Sequence, residues 1–176
     1  MQQYIMNFSQ PGDVVLDPFG GSGVTAIEAL IIDRKGIHLD LNPMSVFMVD
    51  SLVAPVKIPE LTAAFDRVKL GFEKMFVPNQ LISNELIETL LQKYSYPHGL
   101  PLPKGSDVLT IEELFTKKQL AQLAYLKYLI RQEKGVNIQK TLMLMFSGLL
   151  TKTNRTYHNS TTKPAEGQGD ASVFRY

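Results

Sequence analysis

The stretch Asp13–Leu30, DVVLDPFGGSGVTAIEAL, constrains the fold more than any other part of the chain. Val14 to Phe19 is a short apolar run with β-branched residues, too short for a helix and placed, ahead of glycines, where a buried parallel strand belongs. Gly20, Gly21 and Gly23 follow, and glycine admits positive φ, a tight turn and close approach of backbone to a ligand. Val24 to Ile32 then reads as a helix, closed by Arg34, Lys35 and Gly36, and Gly36–Leu41, GIHLDL, alternates as a second strand. Such a strand–helix–strand unit belongs to an α/β fold, in which ligands bind beyond the carboxyl ends of the strands.

Asn42-Pro43 supplies an N-cap and a first helical residue, which predicts a helix from Pro43 to about Leu52. Beyond Pro59 the pattern becomes helical. Leu61, Ala64, Phe65, Val68, Phe72, Met75 and Phe76 recur at helical spacing, and Gln80–Lys93 is a second candidate helix. Tyr94–Asp107, with prolines and glycines, must be a loop. Thr110 and Glu113 form a capping-box pair ahead of a helix from Ile111 to about Glu133, stopped by Gly135. Asn137 can cap Ile138–Leu150, although Thr141–Leu150 is apolar enough to be a buried strand instead. The organisation expected is a strand–helix–strand unit over 1–58, a mostly helical region over 59–150 and a polar tail over 151–176.

Composition excludes several classes. No apolar run is long enough to span a bilayer and the start, MQQYIMNFSQ, has no signal-peptide pattern, so a cytoplasmic protein is expected, with no membrane partner. The chain has no cysteine, which removes disulfides, cysteine zinc sites and thiolate nucleophiles. A net charge of +1 does not point to nucleic acid, although Lys152, Arg155, His158, Lys163 and Arg175 alternate with Tyr157, Phe174 and Tyr176 in the tail, a mix suited to phosphates and bases.

The glycine loop can be matched against known ligand cradles. A P-loop needs Lys and then Ser or Thr after its last glycine, and Val24-Thr25 stand there. Gly21, Gly23 and Ala26 satisfy the dinucleotide pattern G-x-G-x-x-A, and Asp40 lies where an acid binds ribose hydroxyls, so a nicotinamide-dependent enzyme stays an alternative. Asp17-Pro18-Phe19 ahead of the glycines places a further acid at the strand tip, able to face a cationic group.

VLDPFGGSGVTAIEAL followed by GIHLDLNP resembles the cofactor motif and acidic strand of DNA methyltransferases that modify exocyclic amino groups of adenine or cytosine. That family reads D-P-F-x-G-S-G-T or a near relative, with E-A a turn later and an acid then N-P after the next strand, matched here by Glu28-Ala29, Asp40 and Asn42-Pro43. The resemblance implies S-adenosylmethionine held by Asp17, Pro18, Phe19, Gly20, Gly21, Ser22 and Gly23, with Thr25 and Asn42 beside them and Asp40 on the ribose. It also implies a partial Rossmann-like, S-adenosylmethionine-dependent methyltransferase fold carrying a large helical insertion, and DNA as the partner of the complete enzyme.

The same family receives the flipped base with a D-P-P-Y-type motif, and none of the ten prolines here neighbours another. No catalytic residue is therefore assigned. Few strands are legible, so the chain reads as the cofactor-binding part of an amino-methyltransferase that needs the remainder of the enzyme or a second chain. A non-catalytic subunit or remnant that binds a partner is the other reading.

Overall fold

The computed structural model describes residues 1–104, 106 and 108–155. Among them the elements run α1 (Gln2–Phe8), β1 (Val14–Asp17), α2 (Val24–Ile31), β2 (Lys35–His38), α3 (Pro43–Leu52), α4 (Ile58–Met75), α5 (Asn84–Lys93), a 3-10 turn at Ile111–Leu114, α6 (Lys117–Gln132) and α7 (Val136–Thr153). This is a mixed α/β chain with a two-stranded parallel sheet, compatible with part of a methyltransferase fold. The described residues form two compact units, the first built from Met1–Leu61 and Lys134–Leu144, the second from Thr62–Glu133 and the residues from Met145 on.

In the first unit β1 and β2 pair with Val14 opposite Lys35 and Asp17 opposite His38. Helix α2 covers the face that carries Gly36. A Cβ there would lie 2.7 Å from the Ala26 carbonyl oxygen, so glycine is what lets helix and strand approach so closely. Gly36 therefore sits inside β2 and does not close α2. That turn is made by Asp33 in the left-handed region at φ 63°, with the Arg34 N–H returning to the Ala29 carbonyl at 2.8 Å. Regular pairing stops at His38, short of the expected Leu41, because Asp40 turns back onto the preceding loop.

The opposite face of the sheet is bare. Val14, Leu16 and Ile37 alternate onto it and remain 57%, 55% and 45% exposed, so among the described residues no element of this unit covers it. Buried Arg34 ties α1 to the turn before β2, donating to Ser9 Oγ at 3.1 Å and to the carbonyls of Ser9 and Ile32. The N-terminal part of α7 closes this unit, with Asn137 Nδ2 donating to the Pro55 carbonyl at 3.2 Å and Lys140 paired with Asp50 at 2.7 Å.

In the second unit α5 and α6 pack around Phe76, Ile87, Leu90, Tyr94, Ala121 and Ala124. Tyr125 meets Tyr94 edge to face with centroids 5.1 Å apart, and burial together with the neighbouring phenols raises its pKa. The single helix expected over Ile111–Glu133 is broken at Phe115-Thr116. Thr110 and Glu113 bond each other side chain to side chain at 2.8 Å, Glu113 reaches back to the Leu109 N–H, and the Thr110 side chain makes no cap bond. The working box is Thr116 with Gln119: Thr116 Oγ1 accepts from the Gln119 N–H and Gln119 Oε1 from the Thr116 N–H. Thr141–Leu150 is helix throughout, which overturns the strand alternative, and Asn137 lies within α7 and does not cap it.

Helix α7 runs into the expected polar tail as far as Thr153, and residues 156–176 lie outside the described residues, so His158, Lys163, Arg175 and their aromatic neighbours are not placed. Among the described residues no helix is long and apolar enough to cross a membrane.

Candidate functional site

Parallel pairing brings the carboxyl ends of β1 and β2 side by side. The Leu39 N–H donates to the Asp17 carbonyl at 3.0 Å, and the Leu39 carbonyl accepts from the Gly20 N–H at 2.9 Å. Asp17 and Asp40 thus flank the glycine loop at one edge of the unit. Gly21 and Gly23 sit at φ 50° and 79°, in the left-handed region that favours glycine. A Cβ on Gly23 would overlap Val49 of α3 and one on Gly20 would overlap the His38 ring, whereas Gly21 faces open space. The glycines therefore have different reasons for their identity.

The loop satisfies most of its own backbone. Phe19 N–H donates to Asp17 Oδ1 at 3.2 Å, Gly20 N–H to Leu39, Gly21 N–H to Asp40 Oδ2 at 2.7 Å and Gly23 N–H to the Gly20 carbonyl at 2.7 Å. These four groups are engaged, which leaves the N–H groups of the first turn of α2 as the donors that face a ligand. What the loop itself presents outward is carboxylate and ring. Phe19 is 87% exposed, a large apolar surface at the strand tip.

Asp40 accepts from Gly21 through Oδ2 and from the Asn42 N–H through Oδ1, each at 2.7 Å. The Asn42 N–H, then that of Gly21, hold its pKa below the ordinary carboxylate value, with Ser45 and His38 acting in the same direction. A carboxylate has about four lone-pair sites, so one on each oxygen remains for a further donor, which suits two vicinal hydroxyls. Asn42 caps α3 by accepting from the Met44 N–H at 3.0 Å, leaving Nδ2 as the group it can offer. Ser22 and Pro18 are exposed and Thr25 is half-buried in the first turn of α2. All ten residues singled out in the sequence thus lie in or beside one loop-and-strand-end cluster.

Residues 1–49 match the family model described as DNA methylase. The matched stretch runs from α1 into α3 and contains Asp17, the glycine loop, Asp40 and Asn42, which supports a relation to the N6/N4 class of DNA methylase. No curated protein and no solved structure matches the chain. Two further residues of the matched stretch reach the loop without belonging to any motif of the sequence. Ser45, 7% exposed in α3, donates through Oγ to the Gly21 carbonyl, and His38 Nε2 lies 3.1 Å from that hydroxyl. Their only sequence signal is that His38 shares a strand face with Gly36, toward the helices.

Proposed function

We propose that the first unit binds S-adenosylmethionine and serves a DNA amino-methyltransferase that modifies an exocyclic nitrogen of adenine or cytosine. The observation that carries this reading is the pair of strand-end carboxylates, Asp17 and Asp40, on either side of the glycine loop, with Asp40 accepting from the Gly21 N–H. A second carboxylate at the strand tip, Asp17, suits an adenosine carrying an amino group better than one carrying phosphates, which argues against the nicotinamide alternative. Asp40 would take the ribose hydroxyls, Asp17 the amino group, and Phe19, Gly20, Gly21, Ser22 and Gly23 the body of the ligand, with Pro18, Thr25 and Asn42 completing the wall. The bound cofactor supplies an electrophilic methyl group on sulfur; the chain's own residues orient it.

Methyl transfer to an amine also requires the base to be extruded and its nitrogen aligned, and positioning of this kind contributes about 7–11 kcal/mol. No D-P-P-Y-type motif is available in the sequence to do so. A further polypeptide, the rest of the enzyme or a second chain, is therefore part of the proposal, and the bare face of Val14, Leu16 and Ile37 supports it. The same face would serve a purely partner-binding subunit.

Calorimetry with S-adenosylmethionine and with a nicotinamide dinucleotide tests the cofactor, and binding of the dinucleotide alone would overturn the reading. Transfer of radiolabelled methyl to unmethylated DNA tests the rest. The chain alone is expected to give no turnover, and turnover by it would show that a catalytic group has been overlooked.

A further inference from the structure

We infer that Ser45 and His38 are positioning residues that fix the Gly21 peptide and thereby the shape the glycine loop offers its ligand, an inference resting on the cofactor-binding reading above. Gly21 is exposed, sits at φ 50°, and a Cβ added to it would meet nothing within 4 Å. Packing therefore does not hold its conformation, and a glycine has more backbone freedom to lose than any other residue. Two hydrogen bonds do the holding. Asp40 accepts its N–H on one side, and Ser45 Oγ donates to its carbonyl on the other.

The second grip extends one residue further. Ser45 has a single hydroxyl hydrogen, and both acceptors beside it, the Gly21 carbonyl to which it bonds and the Asp40 carboxylate, can only accept, so the hydrogen is spent on that side. His38 Nε2, 3.1 Å away, must then be the donor to Ser45 Oγ. This assigns the imidazole hydrogen to Nε2 and none to Nδ1, which is buried without a hydrogen-bond partner and turned toward Gly20. A hydrogen on Nδ1 would point into packed backbone with no acceptor. Ser45 is nearly fully buried, so water does not readily substitute for it. Helix α3 thus reaches the loop through Ser45, while its cap residue Asn42 donates to Asp40 from the same turn. Both clamps on Gly21 are anchored at the N-terminus of α3.

The test combines a spectroscopic reading with binding. In the chain with ¹⁵N-labelled histidine, His38 should show a protonated Nε2 and a bare Nδ1, and a hydrogen on Nδ1 would overturn the inference without any variant. Ser45→Ala should shift the His38 Nε2 resonance, broaden or shift the Gly21 amide and weaken S-adenosylmethionine binding about tenfold, the loss of one well-placed hydrogen bond. Ser45→Thr, which keeps the hydroxyl, should recover most of the affinity. Unchanged affinity and an unchanged Gly21 amide in Ser45→Ala would refute the role. If the parent chain binds no cofactor, the functional reading fails, while the His38 tautomer and the Gly21 amide still decide whether the clamp exists.

Discussion

At Asp40 the carboxylate that secures Gly21 and Asn42 is also the group proposed to meet the ribose, so replacing it acts twice. Asp40→Ala is expected to weaken S-adenosylmethionine binding by about tenfold to a hundredfold, as for lost charge-assisted hydrogen bonds. Equal affinity by calorimetry would remove Asp40 from the site. Because its folded pKa lies below the unfolded value, its contribution to stability is complete above the ordinary carboxylate range and is lost as pH falls through the depressed folded value. The Gly21 and Asn42 amide signals should thus hold steady from neutral pH past the usual aspartate midpoint and move only in stronger acid. The glycines should rank by geometry. Gly23→Ala combines positive φ, which costs about 1–2 kcal/mol, with overlap on Val49, whereas Gly21→Ala meets only the backbone cost. Urea denaturation should show Gly23→Ala as clearly the less stable of the two.

Helix α6 depends on a cap that a competing motif concealed. Thr110-x-x-Glu113 and Thr116-x-x-Gln119 satisfy the same rule six residues apart, and nothing local says which one nucleates the helix. Thr116→Ala should lower stability by about 1 kcal/mol in a denaturant titration, and Thr110→Ala by less. By contrast α3 was legible to the residue, since an Asn cap and a Pro at the first position act within one turn. In α7 the apolar residues run too continuously for a period to be read, so strand and helix looked alike. The site divides similarly. Asp17, the glycines and Asp40 sit at strand ends that sequence spacing predicts, whereas Ser45 and His38 acquire their role only when α3 folds back onto the loop. At the sheet, Leu16→Lys tests the bare face. With Leu16 already 55% exposed, the substitution should change the stability of the isolated chain by no more than about 0.5 kcal/mol, and a loss of several would mean that something covers it.

On the scale of the whole chain, similarity to DNA methylases is concentrated in residues 1–49, and the helices of the second unit have their own apolar centre around Phe76 and Tyr94. The first unit takes its last helical piece, Lys134–Leu144, from the far side of Thr62–Glu133 in sequence. That discontinuity sets an order of events at the ribosome. The sheet and its glycine loop emerge early, but the bonds from Asn137 to Pro55 and from Lys140 to Asp50 cannot form until the intervening stretch has been translated. At about 5–20 residues per second the delay is roughly 4–15 s. During that interval the nascent sheet waits without its closing helix, so slowing elongation over the codons for Thr62–Glu133 would lengthen the window in which chaperones or proteases can reach it.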